Sequence, residues 1–108
     1  SAFAQDELFG PAIAVSSTTG ITDAISIAND SPYGLGAGVF TKNMDNSIQA
    51  ARELDAGSIH INWTPLWRAD LMPYGGLKSS GIGKEGVRST VNEMTEEKTI
   101  ILHGRSWQ

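Results

Sequence analysis

The chain has 108 residues, a mass of 11.5 kDa and a formal net charge of −4, with 40% apolar side chains; this suits one small α/β-sized domain over residues 1–108, burying about 65% of its unfolded surface. The acidic pI of about 4.9 and the lack of a Lys/Arg cluster exclude a nucleic-acid or anionic-membrane partner, because neither polyanion would meet a basic face. Zero cysteines exclude disulfides, Cys-ligated zinc and a thiol nucleophile within these residues, and the isolated His60 and His103 predict no metal site.

In chain order, residues 1–11 lack the basic-then-apolar pattern of a signal peptide. No apolar run approaches the roughly 20 residues that span a bilayer, so a cytoplasmic chain is expected. Ala12-Ile13-Ala14-Val15, between Gly10-Pro11 and a polar cluster, predicts a buried strand. Ile21, Ala24, Ile25 and Ala28 recur at helical spacing, with Thr22 or Asp23 placed to cap the free amides, and Asn29 to Gly34 ends that helix. Gly36 to Thr41 reads as a second strand whose small residues allow another backbone to approach closely.

Asn43 or Asp45 is placed to cap a second helix, with Met44, Ile48, Ala51 and Asp55 on one side, Leu54 flanking them, and Gly57 as a left-handed terminator. Ser58 to Ile61 is a third strand ending at Asn62. This alternation predicts an α/β fold: a parallel sheet built from βαβαβ crossover units. From Trp63 to Gly86 periodicity is lost over about 24 residues, beyond the roughly 12–15 usual for a structureless loop, which points to a functional loop. Glu85 to Met94 regains a helical period, and Lys98 to His103 reads as a terminal strand within a tail spanning 95–108.

The glycine patch Gly75 to Gly86 is not a P-loop. Lys78 stands where that motif needs glycine, and Glu85 stands where it needs Ser or Thr. Gly81-x-Gly83-x-x-Gly86 matches the dinucleotide fingerprint formally, but no strand precedes it and no acidic partner can follow about 20 residues later. Glycines shaping a tight turn account for the patch more simply. Glu7 and Phe9, two apart in an extended segment, point the same way; they suit either a ribose-holding carboxylate beside a ring that packs a flat heterocycle, or a plain strand start. Trp63, Trp67, Arg68, Asp70 and Tyr74 crowd the long loop, as residues do that line a pocket or pack on a neighbour, while Trp107 falls in the tail. His60, between two isoleucines, reads as a hydrogen-bonded, half-buried core histidine.

Four segments together resemble the C-terminal portion of the NAD(P)-dependent aldehyde dehydrogenase superfamily. They are Glu7-Leu8-Phe9-Gly10-Pro11, Asn29 to Thr41 with Ser31-Pro32-Tyr33-Gly34-Leu35, Gly57 to Asn62, and Pro73 to Gly86. Each is weak alone; four in the family's order and spacing are specific, and they cover nearly the whole chain. Lys84 departs from the arginine more common there, keeping the charge but weakening bidentate pairing.

The resemblance implies that Glu7 binds the nicotinamide ribose and that Phe9 packs on the nicotinamide of NAD or NADP. It makes Asn62, Trp63, Trp67, Arg68 and Tyr74 candidates for aldehyde contacts. It makes Thr99, Ile100, Ile101 and Leu102 an oligomerisation strand that adds to a neighbouring subunit, hence a homo-oligomer. The run from Trp67 to Gly76 is similar to members acting on small polar or anionic aldehydes such as lactaldehyde or phosphonoacetaldehyde. Arg68 then meets a substrate anion, unless it forms only a surface pair with Asp70. Because the family's thiolate, base and Rossmann domain lie upstream, the resemblance implies a C-terminal fragment with no catalytic residue of its own, catalytically inert and binding no cofactor tightly without the missing N-terminal region. The other reading is a stand-alone truncated homologue that serves as an oligomerisation module.

Overall fold

A computed structural model describes residues 5–104. Helix α1 runs Ile21–Asn29, followed by strands β1 (Tyr33–Gly34) and β2 (Gly36–Val39), helix α2 (Met44–Glu53), strands β3 (Ser58–Ile61) and β4 (Leu77–Lys78), and helix α3 (Val87–Met94). The content is mixed α and β, as expected, but the sheets are small. β2 and β3 pair in parallel, Gly36 with Ser58 through Val39 with Ile61, and α2 is the crossover between them. β1 and β4 form a separate antiparallel pair.

Side chains alternate across a strand, so Ala37, Val39, Ile59 and Ile61 share one face of the parallel pair, while Gly36, Gly38, Ser58 and His60 share the other. The first face receives the helices: Ala37, Val39, Ile25 and Ala50 border one cleft, and α1 packs on α2. Ile25 and Ala50 are the buried apolar side chains of this small core.

Local chemistry sets the helix ends, with corrections. The Asn43 side chain accepts the Asn46 N–H at 3.1 Å, so Asn43 rather than Asp45 caps α2. At α1 neither Thr22 nor Asp23 caps. Gly20 occupies the N-cap, and Asp23 accepts from the Thr19 N–H (2.9 Å) and hydroxyl (3.2 Å). Gly57 is not a left-handed terminator: α2 ends at Glu53 with Leu54 as its C-cap, and the positive-φ glycines are Gly81, Gly83 and Gly86. Those three bear out the loop-shaping reading of the glycine patch. Gly86 also moves the start of α3 from Glu85 to Val87.

Two further expectations fail for one physical reason. Ala12 to Val15 is not a strand, because a strand needs a hydrogen-bonded neighbour and no described residue pairs with it. Lys98 to His103, expected to add to a neighbouring subunit, has no partner strand among the described residues of this chain. Ile13 and Val15 stand 84% and 87% exposed. The expected five-element parallel sheet therefore reduces to the β2–β3 pair. Conversely, the long loop is not wholly irregular: it contains β4 and a bridge in which Tyr74 and Glu85 exchange backbone hydrogen bonds.

Asn29 fastens the ends of α1 and α2. Its Nδ2 donates to the Glu53 carbonyl at 2.7 Å, and its Oδ1 accepts the Asp55 N–H at 2.9 Å. Lys78 Nζ donates to the carbonyls of Asn29 (2.8 Å) and Ser31 (3.1 Å) and lies 3.6 Å from the Asp55 carboxylate. Asn29→Ala in the intact enzyme is expected to cost about 1–3 kcal/mol, read from the shift in denaturant midpoint; Asn29→Asp, which keeps only the acceptor, loses less.

The radius of gyration is 20.4 Å and the extents are 77 × 33 × 23 Å, against about 13 Å for a compact chain of this length. Among the described residues no helix is long and apolar enough to cross a membrane.

Candidate functional site

Two clefts gather the candidate residues. The first, about 430 Å³, lies along β3 and is lined by Ile59, His60, Ile61, Trp63 and Trp67. It forms because β3 is followed by Asn62, whose φ of 58° lies in the left-handed region that asparagine tolerates. The Asn62 N–H donates to the Val39 carbonyl (2.7 Å), and its Oδ1 accepts the Thr41 N–H (2.8 Å). Asn62 thereby locks the chain reversal that carries Trp63 back over the strands. Its side-chain oxygen is engaged with backbone, which makes it a scaffold for the cleft.

Trp67 meets His60 edge-to-face, with ring centroids 6.4 Å apart and planes at 72°. His60 is half-buried as expected, but its Nε2 has no hydrogen-bond partner among the described residues. Sequence reasoning therefore missed His60 as part of the cleft. The pairing of Gly38 with His60, which puts both on the face under the tryptophans, is the signal that finds it.

Arg68 and Tyr74 come together outside the lining of this cleft, with the guanidinium carbon 4.0 Å from the centroid of the Tyr74 ring, and Tyr74 lies against the glycine patch. Such stacking contributes about 0.5–1 kcal/mol at an exposed site. Arg68 makes no ion pair among the described residues, so the alternative of a surface pair with Asp70 is not formed. The Tyr74 backbone is held by its bridge to Glu85, which gives the guanidinium a fixed platform.

The second cleft, about 370 Å³, is lined by Glu7, Tyr33, Leu35, Ser79 and Ser80. Ser80 Oγ accepts the Gly34 N–H at 2.9 Å and so joins the β4 turn to β1. Phe9 stands 93% exposed. Glu7 and Phe9 thus lie on an open segment, apart from the aromatic cleft. Thr99, Ile100, Ile101 and Leu102 are also exposed and join neither cleft.

Comparison with known proteins gives these arrangements a context. The chain is 47% identical over 97 residues to a lactaldehyde dehydrogenase of Methanococcus maripaludis, covering 90% of this chain and 21% of that protein. It is 46% identical over 99 residues to a 3-sulfolactaldehyde dehydrogenase of Priestia megaterium, covering 92% and 21%. A Mycobacterium tuberculosis aldehyde dehydrogenase, solved with NAD+, superposes with a TM-score of 0.82 and 38% identity over 94% of this chain and 20% of that one. The chain therefore spans about one fifth of the length of the relatives it matches. With the aldehyde dehydrogenase family model matching residues 1–100, this chain belongs to the aldehyde dehydrogenase family.

Proposed function

We propose that these residues are the C-terminal part of an NAD(P)-dependent enzyme that oxidises a short hydroxylated or anionic aldehyde to a carboxylic acid, and that they are inert without the rest of it. The observation that carries this reading is the open core. Only Ile25 and Ala50 are buried apolar side chains among the described residues, while Phe9, Leu66, Leu71 and Ile82 are each more than 85% exposed. Surfaces of that kind require a covering partner. A stand-alone module would have to close its own core, which disfavours the truncated-homologue reading.

Glu7 and Phe9 fit one edge of a nicotinamide riboside: the ring is open to cover by a flat heterocycle, and the carboxylate borders a cleft without an ion pair among the described residues. A bound nicotinamide supplies the hydride acceptor. Glu7 holds ribose hydroxyls by charge-assisted hydrogen bonds, and Phe9 excludes water from one side of the ring. Trp63, Trp67 and Tyr74 wall the aldehyde path, Asn62 holds that wall in place, and Arg68 receives the substrate's anionic group. This last role is supported by its unpaired, platform-mounted guanidinium and by the sulfonated aldehyde in the name of the Priestia relative. The thiol nucleophile, which these 108 residues lack, comes from elsewhere in the enzyme. Thr99 to Leu102 pair with a neighbouring subunit's sheet edge.

The test is a chimera in which this chain replaces the corresponding fifth of the Methanococcus lactaldehyde dehydrogenase. It is expected to reduce NAD+ with lactaldehyde, and Glu7→Ala within it to raise the KM for NAD+. The isolated 108 residues are expected to give no turnover and no calorimetric signal with NAD+; turnover by them alone would overturn the proposal.

A further inference from the structure

The turn carrying the aromatic cleft rests on a floor that has no side chains. Gly36 and Gly38 lie on the same face of β2, opposite the helices, and Trp63 to Pro65 sits against them. A Cβ on Gly38 would lie 2.9 Å from the Trp63 carbonyl oxygen and 3.2 Å from Pro65 Cδ; one on Gly36 would lie 3.1 Å from Pro65 Cβ and 3.3 Å from Ser58 Oγ. Neither glycine has a positive φ, so it is the close approach of the turn, and not backbone conformation, that requires them.

An added methyl must displace either the strand or the turn. The strand is held along its length by the ladder to β3, and at its end by the two bonds from Asn62 to Val39 and Thr41. The turn is held internally by a Trp67 N–H to Thr64 carbonyl bond and a Leu66 N–H to Thr64 hydroxyl bond, each 3.3 Å. The turn therefore yields. Trp67 is further located by its edge contact with His60, which sits across from Gly38 in the ladder, so lifting the turn at Trp63 also pulls Trp67 from its seat.

We propose that Gly36 and Gly38 are positioning residues that set the height of the Trp63–Trp67 turn above the β2–β3 pair and thereby select aldehydes by the width of the group the cleft admits. This rests on the reading that Trp63 and Trp67 border the aldehyde path.

The experiment uses the full-length enzyme carrying this segment, with kcat and KM measured for a series running from a linear three-carbon aldehyde to branched and aromatic ones. Gly38→Ala is expected to change the KM ratio between the widest and narrowest aldehydes by about tenfold or more, with kcat for the narrowest within about threefold. Trp67→Ala is expected to change the same ratio. If Trp67→Ala alters the ratio and Gly38→Ala does not, the glycine floor is overturned while the wall stands; if neither does, the wall reading itself fails. Pro65→Gly covers the case in which Gly38→Ala does not fold. It removes the proline ring carbons that rest on Gly36 and Gly38, leaving the Trp63 carbonyl in place, without adding bulk to the sheet, and is expected to shift the ratio too; an unchanged ratio overturns the proposal.

Discussion

Gly57→Ala in the intact enzyme is expected to lower stability by about 3 kcal/mol or more, read as a fall in melting temperature of several degrees or as loss of soluble protein. A Cβ on Gly57 would fall onto the Gly75 carbonyl and lie 3.1 Å from Gly76 Cα. All the atoms it meets are backbone, so no side-chain rotation relieves the overlap. The neighbourhood cannot retreat cheaply either: the Gly57 N–H is bonded to the Gly34 carbonyl at 2.9 Å, and Gly76 is itself buried, with its own Cβ position filled by Ser80. Gly20→Ala, at the N-cap of α1, is the milder comparison: nothing among the described residues lies within 4 Å of the added methyl, and a change of less than about 1 kcal/mol is expected. A Gly57→Ala enzyme melting within about 1 °C of the parent would refute this account of the contact.

Arg68→Ala is expected to lower kcat/KM for a sulfonated or carboxylated aldehyde by about 10–100-fold, while an uncharged aldehyde of the same length changes by less than about threefold. The range follows from about 1.5–3 kcal/mol for a hydrogen bond to a charged group. Arg68→Lys retains charge but loses the planar fork and the stacking on Tyr74, so it recovers only part of the loss. Tyr74→Leu, which removes the platform and leaves the charge, should cost a few-fold for the anionic aldehyde only. Equal losses for charged and uncharged aldehydes would assign Arg68 to packing.

The elements most legible in the sequence were those whose signals are local. The spacing of Ile21, Ala24, Ile25 and Ala28 predicted α1, and the Asn43 cap was one of two alternatives read before α2. β2 and β3 followed from short apolar runs between turn residues, and their parallel pairing from the length of helix between them. The aromatic and charged residues of the 63–86 loop were legible as a group, because large aromatics in an aperiodic stretch need something to pack against. What the stretch conceals is how they sort: Trp63 and Trp67 go to the His60 face, whereas Arg68 passes over Asp70 to stack on Tyr74.

Ala12 to Val15 has strand composition, but strand formation is a property of a pair, and the segment finds no neighbour among the described residues. Asp23 serves Thr19 instead of the helix amides because the chain before α1 bends back within its reach.

By itself, then, the sequence determined the mixed α and β content, the α1–β2–α2–β3 order and, through four motifs in register, the aldehyde dehydrogenase family. Periodicity and motif spacing act over a few residues and survive without their surroundings. The sequence offered both uses of glycine, turn-shaping in the 75–86 patch and close approach in β2, but only the tertiary structure showed which glycine serves which. Gly81, Gly83 and Gly86 serve positive φ, Gly57 and Gly76 admit another backbone, and Gly36 and Gly38 seat the turn that bears the tryptophans. A glycine looks the same in every sequence, and only the atoms that would collide with its missing Cβ distinguish one use from another.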